Sequence, residues 1–304
     1  MDLHLAHLRA LSAVARHASF SRAAGELGVT QPAVSMQVRQ LEDALGQPLL
    51  ERVGKRAFPT RAGEILLAHA GRAFHELDAA VERVQELRGV MAGRVRLGTS
   101  ASISIYLLPP LLRRFRSRYP ATELVVVTGN APEIARAVVT NDLDIGIVSL
   151  PVRDRELAVT PFVDDELVAI APPSPRWRRM RTIAASELAR EPLILYEPGG
   201  TVRRVIDGWF RRAGAAPVRP MELGNTEAIK KLVEAGLGLS VTSWFSIKAE
   251  LRARMLTAIR LSPPLVRKIG LIRRRDKPRT PALDAFHAGL VELQAALARP
   301  RARR

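Results

Sequence analysis

Apolar residues recur through the first ninety positions at intervals of three and four, the period of a helix with one buried face. Leu5, Leu8, Leu11 and Val14 form a first stripe. Phe20, Ala23, Ala24 and Leu27 form a second, with Ser19 in the N-cap position and Gly28 placed to end the helix in a left-handed conformation. Thr30 is suited to cap a third helix, Pro32 falls in its first turn, Val34, Val38, Leu41 and Leu45 make its stripe, and Gly46 closes it. Two short helices joined by a tight glycine-containing turn predict a helix-turn-helix.

The third helix also has a polar side. At about 100° per residue, Pro32, Met36, Arg39 and Gln40 lie opposite the apolar stripe, with Ala33 and Ser35 on the flanks. Thr30, Gln31, Ser35, Gln37 and Arg39 supply hydroxyl, amide and guanidinium groups, which bond to base edges and phosphates in a major groove. An ordinary solvated helix face has the same composition. Glu42 and Asp43 come at the far end, away from such a groove. Next, Gly54 is placed to turn a small hairpin, with Arg52, Lys55 and Arg56 around its tip. A basic wing of this kind neutralises phosphates or enters a minor groove.

Thr60 is suited to cap a long helix from Arg61 to Val90. Ala70, Phe74, Leu77, Val81, Val84 and Met91, with Leu87 beside the seam, follow a near-heptad rhythm. A helix of about 45 Å outruns what a small domain can bury, so the stripe reads as a dimerisation seam. Packing on the rest of the chain is the alternative. Gly89 and Gly93 bracket a hinge.

Beyond Arg94 short β-like runs alternate with helical ones. The β-like runs are Val95–Leu97, Leu124–Val127, Asp144–Val148, Leu167–Ala171, Leu193–Leu195, Leu239–Thr242 and Ile269–Ile272. Helical segments are expected over Leu107–Tyr119, Pro132–Thr140, Thr201–Arg212, Thr226–Glu234 and Pro281–Leu297. This alternation predicts βαβ units and a parallel sheet. The last helix is expected to return to the first sheet, making two subdomains around a cleft. Ligands of open α/β sheets bind beyond the carboxyl ends of strands. That rule selects Thr99 to Ser102, Thr128 to Asn130, and Ser149. Gly199-Gly200-Thr201 precedes a helix whose free N–H groups suit an anion.

Charge alters this picture less than its size suggests. The formal net charge is +17. Residues 1–91 hold 11 basic and 10 acidic residues, whereas 92–304 hold 36 and 20. The segment with the helix-turn-helix pattern is nearly neutral, so a nucleic-acid reading rests on the motif. Arg outnumbers Lys by 41 to 6, a coding bias more than a designed patch. The excess in the second half reads as a solvated surface, with attraction for an anionic effector as the functional alternative. The tail Arg299-Pro300-Arg301-Ala302-Arg303-Arg304 is expected to be disordered, with nonspecific phosphate contact as the alternative.

Ser19-Phe20-Ser21-Arg22-Ala23-Ala24, Glu26-Leu27-Gly28-Val29-Thr30-Gln31-Pro32-Ala33-Val34-Ser35, Leu41-Glu42-Asp43-Ala44-Leu45-Gly46, Glu51-Arg52 and Thr60-Arg61-Ala62-Gly63-Glu64 stand in an ungapped spacing. In this the chain resembles the LysR-type transcriptional regulators. Leu50 and Leu11 stand where that family commonly has Phe, exchanges of a kind cores tolerate. The resemblance continues in Gly98-Thr99-Ser100, Leu107-Leu108-Pro109, Asp142 to Ile147 and Lys231 to Gly238.

The resemblance implies an N-terminal winged helix-turn-helix DNA-binding domain (1–60), a linker and dimerisation helix (61–91), and an effector-binding regulatory domain (92–304). The last would be a periplasmic-binding-protein-like α/β fold, with subdomain I at 92–162 and 267–298 and subdomain II at 163–266. It implies DNA contacts from Ser19, Ser21, Arg22, Thr30, Gln31, Pro32, Ala33, Ser35, Met36, Gln37, Arg39, Gln40, Arg52, Lys55 and Arg56. It further implies effector contacts from Ser100, Ser102, Thr128, Ser149 and Thr201, with Asn225 and Thr226. Each of these seven also has a plain reading as a helix cap or strand-end turn. The expected partners are double-stranded DNA with a pseudo-palindromic site, a small-molecule effector and RNA polymerase, and the expected state is a homodimer or homotetramer.

Other classes fare worse. There are no cysteines, which removes disulfides, thiolate metal sites and cysteine nucleophiles. His4 and His7 share a helix face with no visible third ligand, so no metal site is expected. Asp164-Asp165-Glu166 reads as solvated or paired with arginine. No cofactor motif or phosphate loop appears, and the predicted cleft has Ser and Thr without a neighbouring base, which argues against an enzyme. A solute-binding domain fused to a DNA-binding module is the other rival. The segment Leu97–Leu112 lacks charge but contains Pro109 and Pro110 and is too short to span a bilayer. The start has no basic region followed by an apolar one, so a cytoplasmic location is expected.

Overall fold

The computed structural model describes residues 3–54, 56–86 and 93–298. Lys55, the segment 87–92 with Leu87, Gly89 and Met91, and the arginine-rich tail 299–304 lie outside the described residues. The chain divides into two units, 1–81 and 82–304.

The first unit begins with three helices, α1 (Leu5–His17), α2 (Phe20–Leu27) and α3 (Gln31–Leu45). Their stripes meet: Leu11, Val14, Ala23, Val34, Val38 and Leu41 are all buried in one core. Gly28 (φ 67°) and Gly46 (φ 64°) adopt the left-handed conformation and donate their N–H groups to Ala24 O and Glu42 O. α1 stops at Ala18, which is left-handed without being glycine (φ 51°). A two-stranded hairpin follows, β1 (Leu50–Val53) and β2 (Arg56–Pro59), paired from Leu50↔Pro59 to Val53↔Arg56. Gly54 (φ 62°) begins its turn. Ala57 N–H donates to Ala18 O at 3.0 Å, which ties the hairpin to the end of α1. Thr60 then starts α4 (Arg61–Glu86): its hydroxyl accepts from Gly63 N–H at 3.1 Å and donates to Pro48 O at 2.7 Å. Of the expected seam, Ala70 is buried and Phe74 packs on the core that α1, α2 and α3 share. Leu77, Val81 and Val84, at spacings of four and three, are exposed.

The second unit contains β3 (Gly93–Thr99), α5 (Ala101–Tyr106), α6 (Pro109–Arg118), β4 (Thr122–Thr128), α7 (Ala131–Val139), β5 (Ile145–Ser149) and β6 (Leu157–Ala171). Then come α8 (Pro175–Arg179), β7 (Thr182–Ala184), α9 (Ala185–Leu188), β8 (Ile194–Tyr196), α10 (Thr201–Arg212), β9 (Met221–Leu223), α11 (Thr226–Glu234) and β10 (Ser240–Ser243). A 3-10 turn at Trp244–Ile247, α12 (Lys248–Arg252), β11 (Thr257–Arg274) and α13 (Pro281–Ala298) complete it.

Among the described residues the main sheet runs β10-β6-β11-β5-β3-β4, with β7 on β11. β3 pairs in parallel with β4 and β5, as the βαβ pattern predicts. β7 also pairs in parallel with β11, and β8 with β9, but the expectation of a parallel sheet fails at the centre of the main sheet. β11 runs antiparallel to both β5 and β6, and β10 runs antiparallel to β6. The reason is that the chain leaves along β6 and returns along β11 as an antiparallel ribbon, and the helices between them do not serve as a crossover joining parallel strands.

That ribbon joins two cores. Phe162 of β6 and Ile269 of β11 sit in the first, with Val95, Leu97, Leu111, Phe115 and Phe286. Leu167 and Leu265 sit in the second, with Trp177, Leu195, Trp209, Phe210 and Val241. α13 returns to the first core through Ala282, Phe286 and Leu290, as expected. Between the cores Asp165 and Arg267 are both buried: Asp165 Oδ2 accepts from Arg267 Nε at 3.0 Å and Nη2 at 2.6 Å. Ser243 donates to Asp165 Oδ1 at 2.6 Å. The acidic run is therefore in part an arginine partner, as its sequence suggested.

Candidate nucleic-acid interface and ligand cavity

The outward side of α3 is built by its inward side. Burial of Val34, Val38 and Leu41 leaves Gln31, Pro32, Met36, Arg39 and Gln40 exposed, with Ala33, Ser35 and Gln37 half-buried on the flanks. Two hydroxyls expected at DNA also act as caps. Ser19 Oγ accepts from Arg22 N–H and Thr30 Oγ1 from Ala33 N–H, each at 3.4 Å. Ser21 and Arg22 are exposed at the start of α2. Arg52 and Arg56 are exposed on the hairpin, and the Arg52 guanidinium lies 5.2 Å from the Phe20 ring centroid.

Two acidic groups of this unit, Glu26 and Glu42, are occupied elsewhere. Glu26 bonds His17 Nε2 at 2.6 Å and accepts from Arg16 Nη1 at 2.8 Å. The bond to His17 holds its carboxyl below the usual carboxylate range, against burial, with Arg16 adding to it. Glu42 Oε1 accepts from Leu49 N–H at 2.8 Å and Leu50 N–H at 3.2 Å. It thus fixes the chain leaving α3 to the start of β1, a role that its sequence position did not reveal.

In the second unit the predicted effector residues separate into groups. Ser149 and Thr201 line one cavity of about 730 Å³. Its apolar wall includes Pro132, Ala135, Leu150, Val152 and Val205, and its charged groups are Arg136, Arg153, Asp154 and Arg204. α10 opens at Thr201 after Gly199 (φ 90°) and Gly200, which caps without a side chain. Thr201, Arg204 and Val205 of its first turns line the cavity, at the positive end of the helix dipole. Arg204 Nη2 donates to Thr201 Oγ1 at 3.2 Å. Sequence reasoning missed the arginines, because among 41 of them no local pattern marks these three.

Ser100 and Ser102 stand together at the start of α5, with hydroxyls 3.3 Å apart. The neighbouring Thr99 is buried and donates to Ile147 O at 2.9 Å. Thr128 is exposed at the end of β4. Asn225 caps α11, its Oδ1 accepting from Glu227 N–H at 2.7 Å and Ala228 N–H at 3.4 Å. Thr226 Oγ1 lies 3.1 Å from the Tyr196 hydroxyl, which lies 2.7 Å from Thr242 Oγ1.

A second network links α5 to α11. Tyr106 of α5 donates to Glu227 of α11. Lys230 is buried, donating to Ser246 O at 2.9 Å and Glu250 at 2.6 Å, and pairing with Glu227 at 2.9 Å. Its Nζ also lies 4.9 Å from the Tyr106 ring centroid. Burial, then the bond to Glu227, pushes the Tyr106 phenol well above its usual range. Burial pushes the Glu227 carboxyl up, but Tyr106 and Lys230 outweigh it and hold it down. Tyr106 lies 121 positions before Glu227, beyond any spacing rule.

No group of three His, Cys, Asp or Glu able to hold a metal occurs among the described residues. Nor is any described helix long and apolar enough to cross a membrane.

Comparison with known proteins joins both units to one family. Residues 5–64 match the bacterial regulatory helix-turn-helix protein, lysR family, and residues 88–295 match the LysR substrate binding domain. The chain is 35% identical over 287 residues to a RuBisCO operon transcriptional regulator of Allochromatium vinosum, covering 94% of this chain and 95% of that one. It is 34% identical to the HTH-type transcriptional regulator CfxR of Cupriavidus necator, covering 95% and 92%. A full-length OxyR variant from Pseudomonas aeruginosa shares the fold, with a TM-score of 0.78 at 23% identity over 95% of each chain. So does full-length CbnR complexed with its target DNA, at 0.63 and 22% over 95% of this chain and 99% of that one. The chain belongs to the LysR family of transcriptional regulators, with a DNA-binding helix-turn-helix and an effector-binding domain.

Proposed function

We propose that this regulator reads a pseudo-palindromic promoter site with the outward face of α3 and takes a small anionic effector in the cavity between Ser149 and Thr201. The observation that carries the DNA reading is the separation of faces on α3: every buried residue is apolar, and Arg39, Gln40 and Gln31 point out. The exposed Arg52 and Arg56 of the hairpin supply phosphate contacts beside it. Ser19, Ser21 and Arg22 stand at the start of α2, placed for the backbone.

The working division is a DNA-binding domain over 1–60, a linker helix over 61–91 and a regulatory domain over 92–304. Leu77, Val81 and Val84 form an exposed apolar stripe that a second copy would cover, giving a homodimer, and pairs of dimers a homotetramer. Such a regulator works in the cytoplasm, on the chromosome and beside RNA polymerase, and performs no chemistry of its own. The named relatives make a RuBisCO operon promoter the first DNA to try.

Three guanidiniums around an apolar wall favour a ligand with a charged, oxygen-rich end and a short carbon body. Footprinting of the full-length protein on that promoter, with and without a panel of phosphorylated and carboxylated metabolites, tests both halves. We expect one metabolite to alter the footprint of the wild type and not of Arg204→Ala, whose footprint without metabolite is unchanged. A normal response from Arg204→Ala together with Arg136→Ala would remove this cavity from effector binding.

A further inference from the structure

Of the residues on the outward face of α3, the one at its centre is apolar. Met36 is 57% exposed, one turn beyond the exposed Pro32 and flanked by Arg39 and Gln40. A helix side that merely faced water would gain nothing from a thioether there. The stripe that holds the helix in place is already complete in Val34, Val38 and Leu41, so Met36 is surplus to the core. Its polar flanks suit hydrogen-bonding edges, but Met36 itself offers only a flexible, polarisable apolar surface. A major groove presents one apolar feature, the C5-methyl of thymine.

We infer that Met36 is a specificity-determining residue that selects a thymine in each half-site through its C5-methyl group. This rests on the reading that α3 faces the groove. Arg39 lies three residues on, a rise of about 4.5 Å along the helix. The selected thymine therefore falls within one or two base pairs of the position that Arg39 contacts. Selection by a methyl group differs from selection by hydrogen bonding, because uracil keeps every hydrogen-bonding group of thymine and lacks only the methyl.

The experiment selects binding sites for the full-length protein from a random duplex pool. It then replaces each half-site thymine singly by deoxyuridine and measures affinity at fixed salt. Burial of one methyl corresponds to about a fourfold change. The wild type is expected to lose that much at one thymine per half-site. Met36→Leu should keep the sensitivity, whereas Met36→Ala and Met36→Gln should bind thymine and uracil sites equally. Because Met36 is exposed, these variants fold, which equal affinity for nonspecific duplex would verify. Arg39→Ala serves as the control on the underlying reading. If Arg39→Ala weakens binding while uracil is neutral at every position, or Met36→Ala remains sensitive to the methyl, the role of Met36 is overturned and the α3 reading stands. If Arg39→Ala and Gln40→Ala both bind the selected site as the wild type does, the α3 reading itself fails.

Discussion

Asp165→Ala places the ribbon between the two cores under a defined load. The wild-type carboxylate is fully buried and accepts two hydrogen bonds from Arg267 and one from Ser243. Alanine removes all three and strands a guanidinium that is 3% exposed. Breaking a buried ion pair from one side costs about 3–5 kcal/mol, since the remaining charge is left buried without its partner. In a unit of this size each kcal/mol lowers the melting temperature by about 2–4 °C, so a fall of about 6–20 °C is expected. The assay is thermal unfolding followed by circular dichroism, with the double variant Asp165→Leu/Arg267→Met alongside. That variant replaces the pair by apolar groups of similar volume and should recover most of the loss. A fall under about 2 °C for Asp165→Ala would refute the reasoning, as would a double variant no better than the single one.

Three further outcomes follow from other contacts. A Cβ at Gly63 would sit 2.0 Å from Leu49 O, so Gly63→Ala must push α4 off the hairpin; it should cost about 1–3 kcal/mol in denaturant unfolding. Gly25→Ala, a helical position with nothing within 4 Å, should instead stabilise by about 0.5–1 kcal/mol. Burial pushes the Asp144 carboxyl up, yet Lys277 and then Arg96 outweigh it and hold it below its ordinary 3.8. A carboxyl depressed in the folded state stabilises in full above its unfolded pKa and loses that contribution as pH falls through the folded one. The stability gap between wild type and Asp144→Asn should therefore be constant from about pH 7 to pH 5 and close only at lower pH, as urea titrations would show.

The sequence disclosed the first unit almost completely, because its signals are local. Gly28 and Gly46 stop helices where only a left-handed residue fits, and Ser19 and Thr30 cap the next ones. The outward face of α3 follows from spacing alone. In the second unit the helices Thr201–Arg212 and Thr226–Glu234 have the bounds that their periodicity indicates. The ribbon was legible only in fragments. Asp164, Asp165 and Glu166 interrupt β6, and Ser262, Pro263 and Pro264 interrupt β11, so each strand reads as a short run. Strand direction was not legible either, since it depends on partners a hundred residues away. Distance along the chain likewise hid Tyr106 as a partner of Glu227 and Lys230, and Arg136, Arg153 and Arg204, on separate elements and loops, as neighbours of one cavity.

The most direct test of the account is the affinity of full-length protein for a promoter duplex and for the same duplex scrambled, measured with wild type and Arg39→Ala at one moderate salt concentration. Arg39→Ala should lose about 1–3 kcal/mol per half-site on the promoter and little on the scrambled duplex. A wild type that binds both duplexes equally, or an Arg39→Ala that loses the same on each, would contradict recognition by α3.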